Sequence, residues 1–176
     1  MFILKIFLYV LTIATSSTLG MMLSQKYVRR VDELKAFKSA LVMLKTKIRY
    51  TYAPICEIFT DISKSLKGNI STLFKNACVQ IEKKGATDGF YAAVEITDLN
   101  VDKEDRQVMG TLSKLLGKTD AEGQINEIEL VQSFLDAQIE KAEVQREKNA
   151  KLYKTLRCYL WYWNCNYFIV GGAKWI

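Results

Sequence analysis

The chain has 176 residues, a formal charge of +6, 49% apolar residues, one proline and no histidine. That length suits one modest domain plus anchors, and the missing histidine excludes Ser-His and Cys-His nucleophile pairs, histidine general bases and mixed Cys-His zinc sites. The charge is local: residues 26–50 hold eight basic against two acidic residues, whereas residues 51–150 carry a net −5. Such a distribution argues against nucleic acid as a partner and for a basic flank beside a membrane segment.

From Phe2 to Met22 the only charge is Lys5, and a helix of that length spans about 30 Å of hydrocarbon. Residues 1–23 are therefore expected to form a transmembrane anchor. Lys26, Arg29 and Arg30 crowd its downstream side, which orients the amino end outside and the following domain in the cytoplasm. A cleaved signal peptide is the competing reading, because Ala14 to Gly20 is a small-residue stretch after a short apolar core; the downstream positive charge opposes export.

Apolar residues then recur at three and four along the chain, which makes residues 24–155 an all-α domain of five to six helices. Leu34, Phe37, Leu41, Leu44 and Ile48 form a seven-residue, coiled-coil-like stripe that continues the anchor to about Arg49. Tyr50 to Pro54 is the break. Pro54 suits the first turn of a second helix with Ile55, Ile58, Phe59, Ile62 and Leu66 inward and Gly68 at its end. A third helix carries Ile70, Leu73, Phe74, Ala77 and Ile81 and stops at Gly85. A short fourth, capped by Thr87 or Asp88, presents Phe90 and Val94. Asp102 caps a fifth, with Val108, Leu112, Leu115 and Leu116 inward and Gly117 at its end. The last helix starts at Thr119 or Asp120, shows Ile128, Val131, Leu135 and Ala142 at helical spacing, and becomes rich in Glu and Lys beyond Gln138.

Chemistry is sparse. Gly117-Lys118-Thr119 resembles the end of a phosphate-binding loop, but the earlier glycine it needs is replaced by Leu112 and no strand precedes it. Glu104 with Asp105, and Glu127 with Glu129, read as helix-start or surface charges. Cys56, Cys78, Cys158 and Cys165 contain no C-x-x-C pair and read as apolar fillers in a reducing compartment. No catalytic, cofactor or metal residues are assigned, and no small-molecule substrate is expected.

The order of an amino-terminal membrane helix, then Leu34-Lys35-Ala36-Phe37 with Ala40-Leu41, Lys47-Ile48-Arg49-Tyr50 and Ala53-Pro54-Ile55, resembles the stage III sporulation protein AB family of endospore-forming bacteria. Leu115 to Asp120 followed by Gln124, and Lys148 to Lys154 before the final segment, are similar to its later signatures. Tyr50, Pro54, Gly117 and Gln124 are the family-like structural positions. The resemblance implies a fold like the cytoplasmic helical domain of the type II secretion platform protein, the F component. It also implies a non-enzymatic subunit in the mother-cell membrane part of the channel-like complex linking mother cell and forespore. Partners implied in the same way are other subunits of that complex, including its secretion-type ATPase. The alternatives are a membrane-attached nucleotide-binding regulator or enzyme, and an exported helical protein.

Residues 156–176 depart from the family, which closes with a second apolar helix. An A/T-rich spelling of Arg157 to Val170, read one base later, encodes Gly-Val-Ile-Cys-Gly-Ile-Gly-Ile-Val-Ile-Ile-Leu-Leu and then a stop. The two tryptophan codons force two of those glycines. Gly171 to Trp175 can likewise be spelled with a ribosome-binding-like GGAGG and an ATG. The expectation is a one-base slip near Arg157 that replaced a second membrane helix with an aromatic tail.

Overall fold

The computed structural model describes the backbone of residues 2–51, 53–114, 116 and 120–172; within those ranges side chains are described from 24 to 151, and at scattered positions on either side. Its elements are α1 (Phe2–Tyr50), α2 (Ile55–Ser65), α3 (Gly68–Lys84), α4 (Ala86–Ile96), α5 (Lys103–Thr111), a 3₁₀ turn (Leu112–Lys114) and α6 (Ala121–Gly172). The described residues are thus all-α, as the three-and-four spacing predicts. They divide into two compact units, residues 29–142 and residues 1–28 with 143–176.

In residues 29–142 the core is the set of stripes read from the sequence. Leu34, Phe37, Leu41 and Leu44 are fully buried on α1, and Ile58, Phe59, Ile62, Leu73, Phe74, Phe90, Val94, Val131 and Leu135 close around them. Four phenylalanines form its centre. Phe74 stacks on Phe37 with ring centroids 6.1 Å apart, meets Phe59 edge-on at 5.1 Å and lies 6.3 Å from Phe90. Each such pair adds about 0.5–1.5 kcal/mol beyond its buried area. Ile48, Ile81 and Val108 are half-buried against this core, and Leu66 is the C-cap of α2.

The helix boundaries correct several expectations. Pro54 precedes α2 as its N-cap with an extended ψ of 145°, so its carbonyl, which accepts from Glu57 and Ile58, begins the helix. α2 stops at Ser65, capped by Leu66, and Gly68 opens α3 instead of ending α2. Its φ of +73° supplies the reversal between the two helices, a conformation that costs glycine little. Gly85, with φ +82°, both ends α3 and caps α4, displacing Thr87 and Asp88 from the capping role. One glycine serves two helix ends because the corner between them is a single residue. The corner is tight: a Cβ on buried Gly89 would lie 2.5 Å from the Ile81 backbone.

Asp102 caps α5 as expected, in a capping box with Asp105. Asp120 precedes α6 and accepts the Gly123 N–H at 3.2 Å. Leu112 and Leu116 are buried. Leu115, Gly117, Lys118 and Thr119 lie outside the described residues.

The second unit is helical backbone at both ends of the chain. Thr15 Oγ1 donates to the carbonyls of Leu11 and Thr12, and Thr18 Oγ1 to that of Thr15, all within 3.0 Å. Among the described residues no helix is long and apolar enough to cross a membrane. The anchor expected over residues 1–23 and the tail over 156–176 fall largely on side chains outside the described residues, and this includes Cys158 and Cys165.

Candidate functional site

Two features of the bundle are the candidates. The first is a clamp built by α1 on the α4–α5 connection. Arg30 lies one turn before Leu34 on the same stripe, so it enters the bundle, where it is 6% exposed. Its guanidinium is bidentate to Asp105, with Nε to Oδ2 at 2.7 Å and Nη2 to Oδ1 at 3.0 Å, and Nη1 reaches Asp102 at 2.6 Å. Asp105 is fully buried and also accepts the Asp102 N–H at 2.9 Å. Burial opposes the charge on Arg30, but the Asp105 hydrogen bond and the charges of Asp105, Asp102 and Glu104 outweigh it and raise its pKa.

One turn along α1, the Glu33 carboxylate accepts from the Asn100 N–H at 2.7 Å and from the side-chain amides of Asn100 and Asn69, each at 2.8 Å. Arg106 donates to the carbonyls of Val94, Thr97 and Leu99, which satisfies carbonyls freed where α4 ends. Asn76 donates to Thr97 Oγ1 at 3.1 Å, and that hydroxyl donates to the Ala93 carbonyl. These side chains fix residues 97–102 in one conformation. The carboxylates are consumed as acceptors, which makes the clamp structural.

The second feature is a recess of about 220 Å³ lined by Ile48, Thr51, Ala53, Ile55, Ile58, Ala86, Leu116 and Gln124. Its volume is below the roughly 300–1,000 Å³ of small-molecule pockets. A hydroxyl and an amide are its polar side chains, so it offers no acid, base or nucleophile.

Of the family-like positions Gln124 lines this recess, Tyr50 and Pro54 are sequence neighbours of its lining residues Thr51, Ala53 and Ile55, and Gly117 lies outside the described residues. Tyr50 ends α1 at 75% exposure, Pro54 is exposed at the start of α2, and Gln124 of α6 faces the turn between them. Of the basic flank, Lys26 and Arg29 are exposed while Arg30 is the clamp residue. Asp105, read from the sequence as a helix-start or surface charge, does sit in the first turn of α5 but is fully buried, and the Glu33 hub escapes the sequence reading, although the four-residue step from Arg30 to Leu34 marks Arg30 as core-facing. Among the described residues no group of three or more Cys, Asp or Glu is placed to hold a metal. Cys56 and Cys78 are half-buried free thiols. Burial, followed by the neighbouring Cys78, pushes the Cys56 thiol up.

Comparison with known proteins gives this arrangement its lineage. Residues 5–159 match the stage III sporulation protein AB family. The chain belongs to that family. A curated relative, stage III sporulation protein AB of Bacillus subtilis (strain 168), is 27% identical over 150 residues, covering 83% of this chain and 87% of the relative. A solved structure of stage III sporulation protein AB superposes with a TM-score of 0.64 at 24% identity, covering 68% of this chain and 98% of that one. The family's bundle is therefore the fold of this chain.

Proposed function

We propose that the chain is a non-catalytic, membrane-anchored assembly subunit of the sporulation channel-like complex between mother cell and forespore, acting through helix-mediated contacts with other subunits, the secretion-type ATPase among them. The family match over residues 5–159 carries this reading. The internal chemistry supports it, since Asp105 and Glu33 hold the α4–α5 connection. Leu130, Phe134, Val42 and Ile96 meanwhile stand 48–58% exposed on helix surfaces suited to partners.

The anchors belong to the same proposal. Residues 1–23 cross the mother-cell membrane with the amino end outside, Lys26 and Arg29 meeting the cytoplasmic headgroups. Thr15 and Thr18 satisfy their hydroxyls on carbonyls of their own helix, which suits a segment surrounded by lipid. At the other end, the match to the family stops at Tyr159, two residues beyond Arg157. That limit supports a one-base slip there and a second anchor in the parent gene. Resequencing the last hundred or so bases tests the slip; an in-frame read through Ile176 removes it.

The test of the assembly role is recovery of the tagged full chain from detergent-solubilised membranes of sporulating cells. Other membrane subunits and the ATPase are expected to come with it. Recovery as an unassociated protein would refute the proposal.

A further inference from the structure

α2 and α3 form an antiparallel hairpin whose register is marked by two side-chain bonds to backbone. Near its closed end, by the Gly68 corner, Ser71 Oγ donates to the Ser63 carbonyl at 2.6 Å; about two helical turns further out, Cys78 Sγ donates to the Cys56 carbonyl at 3.2 Å. Seven steps back along α2 match seven steps forward along α3, so residue 78 stands opposite 56 as residue 71 stands opposite 63. Serine and cysteine extend one bond beyond Cβ, and side chains that short reach a neighbouring backbone only where the two helices lie close. The two thiols therefore meet at the open end of the hairpin, directly after the break at residues 51–54. Burial raises the Cys56 pKa most, followed by the charge of Cys78 and a hydrogen bond with it.

Both cysteines are half-buried free thiols. Exposed Thr60, with its Oγ1 3.7 Å from Cys78 Sγ, and exposed Glu57 and Val79 border them, so a small polar oxidant reaches the sulfurs. Apolar filling needs neither a second sulfur alongside nor partial exposure, and this pair has both. We propose that Cys56 and Cys78 are a redox-modification site, a dithiol that a hydroperoxide converts into a disulfide stapling α2 to α3. One thiol, as its thiolate, attacks the O–O bond; its sulfur is oxidised to a sulfenic acid, and the leaving oxygen takes up the proton that the thiol released. The second sulfur then attacks the sulfenic sulfur, the S–S bond forms, the S–O bond breaks, and the hydroxyl leaves with the second thiol's proton as water. The peroxide gains the two electrons that the two thiols lose. A reducing compartment returns the pair to thiols between exposures, as disulfides there are usually transient. Ile55 and Ile58, beside Cys56, line the recess, so the staple also fixes one of its walls. The dithiol lies within residues 29–142 and requires neither an anchor nor a partner subunit.

The experiment uses the full chain in mild detergent, carrying Cys158→Ala and Cys165→Ala so that this pair alone remains. After hydrogen peroxide and then N-ethylmaleimide, the chain is expected to be lighter by two hydrogens and to take no adduct, with one tryptic species joining the Cys56 and Cys78 peptides; dithiothreitol should restore both thiols. The unsubstituted chain is mapped in parallel by the same two peptides, so the answer does not depend on the alanine changes. Stapling a loop of this length should raise the melting temperature by about 5–12 °C, and dithiothreitol should reverse the rise. Cys56→Ser or Cys78→Ser, added singly, should leave a sulfenic acid that dimedone traps, with no internal link and no rise. Two alkylatable thiols surviving peroxide overturn the proposal, as does oxidation to sulfinic acid without the linked peptides in a chain whose circular dichroism is unchanged. A bond that forms without raising the melting temperature overturns the staple.

Discussion

Arg30→Met tests the bundle where a charge is most deeply committed. The substitution keeps an unbranched apolar stem on the α1 stripe but strips Asp105, which is fully buried, of its cation. Removing one partner of a buried ion pair typically costs about 3–5 kcal/mol, because the other charge stays desolvated. The Asp102 arm adds little, its side chain being 55% exposed. A unit of residues 29–142 has an unfolding entropy that converts each kcal/mol into about 4 °C. The melting temperature should therefore fall by about 12–20 °C, read by circular dichroism on the full chain in mild detergent at neutral pH. Adding Asp105→Leu to Arg30→Met should recover part of the loss, since no charge is then stranded, although the hydrogen bond to the Asp102 N–H goes with it. A fall of under about 4 °C for Arg30→Met would mean that Asp105 finds water or another cation, and the clamp would then not be structural.

Phe74→Ala removes a ring that touches three others and should cost about 3–5 kcal/mol in chemical denaturation, as large-to-small core changes do. Gly89→Ala gains helix propensity yet drives a methyl into the Ile81 backbone at 2.5 Å; with backbone unable to yield cheaply, a net loss of about 1–3 kcal/mol is expected by the same assay. Lys47, 2.7 Å away, holds the Asp61 carboxyl below the usual carboxylate range through a hydrogen bond and its charge. That stabilisation is present above the unfolded carboxylate pKa and disappears as the pH falls through the lower folded value. In Lys47→Ala the Asp61 titration followed by NMR should move up, and the acid limb of the stability curve should shrink.

The sequence by itself determined the helices, because each buries a stripe whose spacing is visible without a partner. Leu34, Phe37, Leu41 and Leu44 are the clearest example, and all four are fully buried. Capping by Asp102 and Asp120 was equally legible, since an N-cap is local chemistry. Only tertiary structure decided the roles of residues whose partners are remote in the chain. Arg30 and Asp105 are 75 positions apart, as Glu33 and Asn100 are 67. Charge density alone assigned Arg30 to the membrane flank, and only the packing of α5 against α1 turned it inward. Gly68 and Gly85 show the same division: glycine announces a corner, but which helix it ends or begins depends on how closely the two helices pack. The recess joining Gln124 to the turn after Tyr50 likewise exists only because the bundle closes α6 back onto the start of α2.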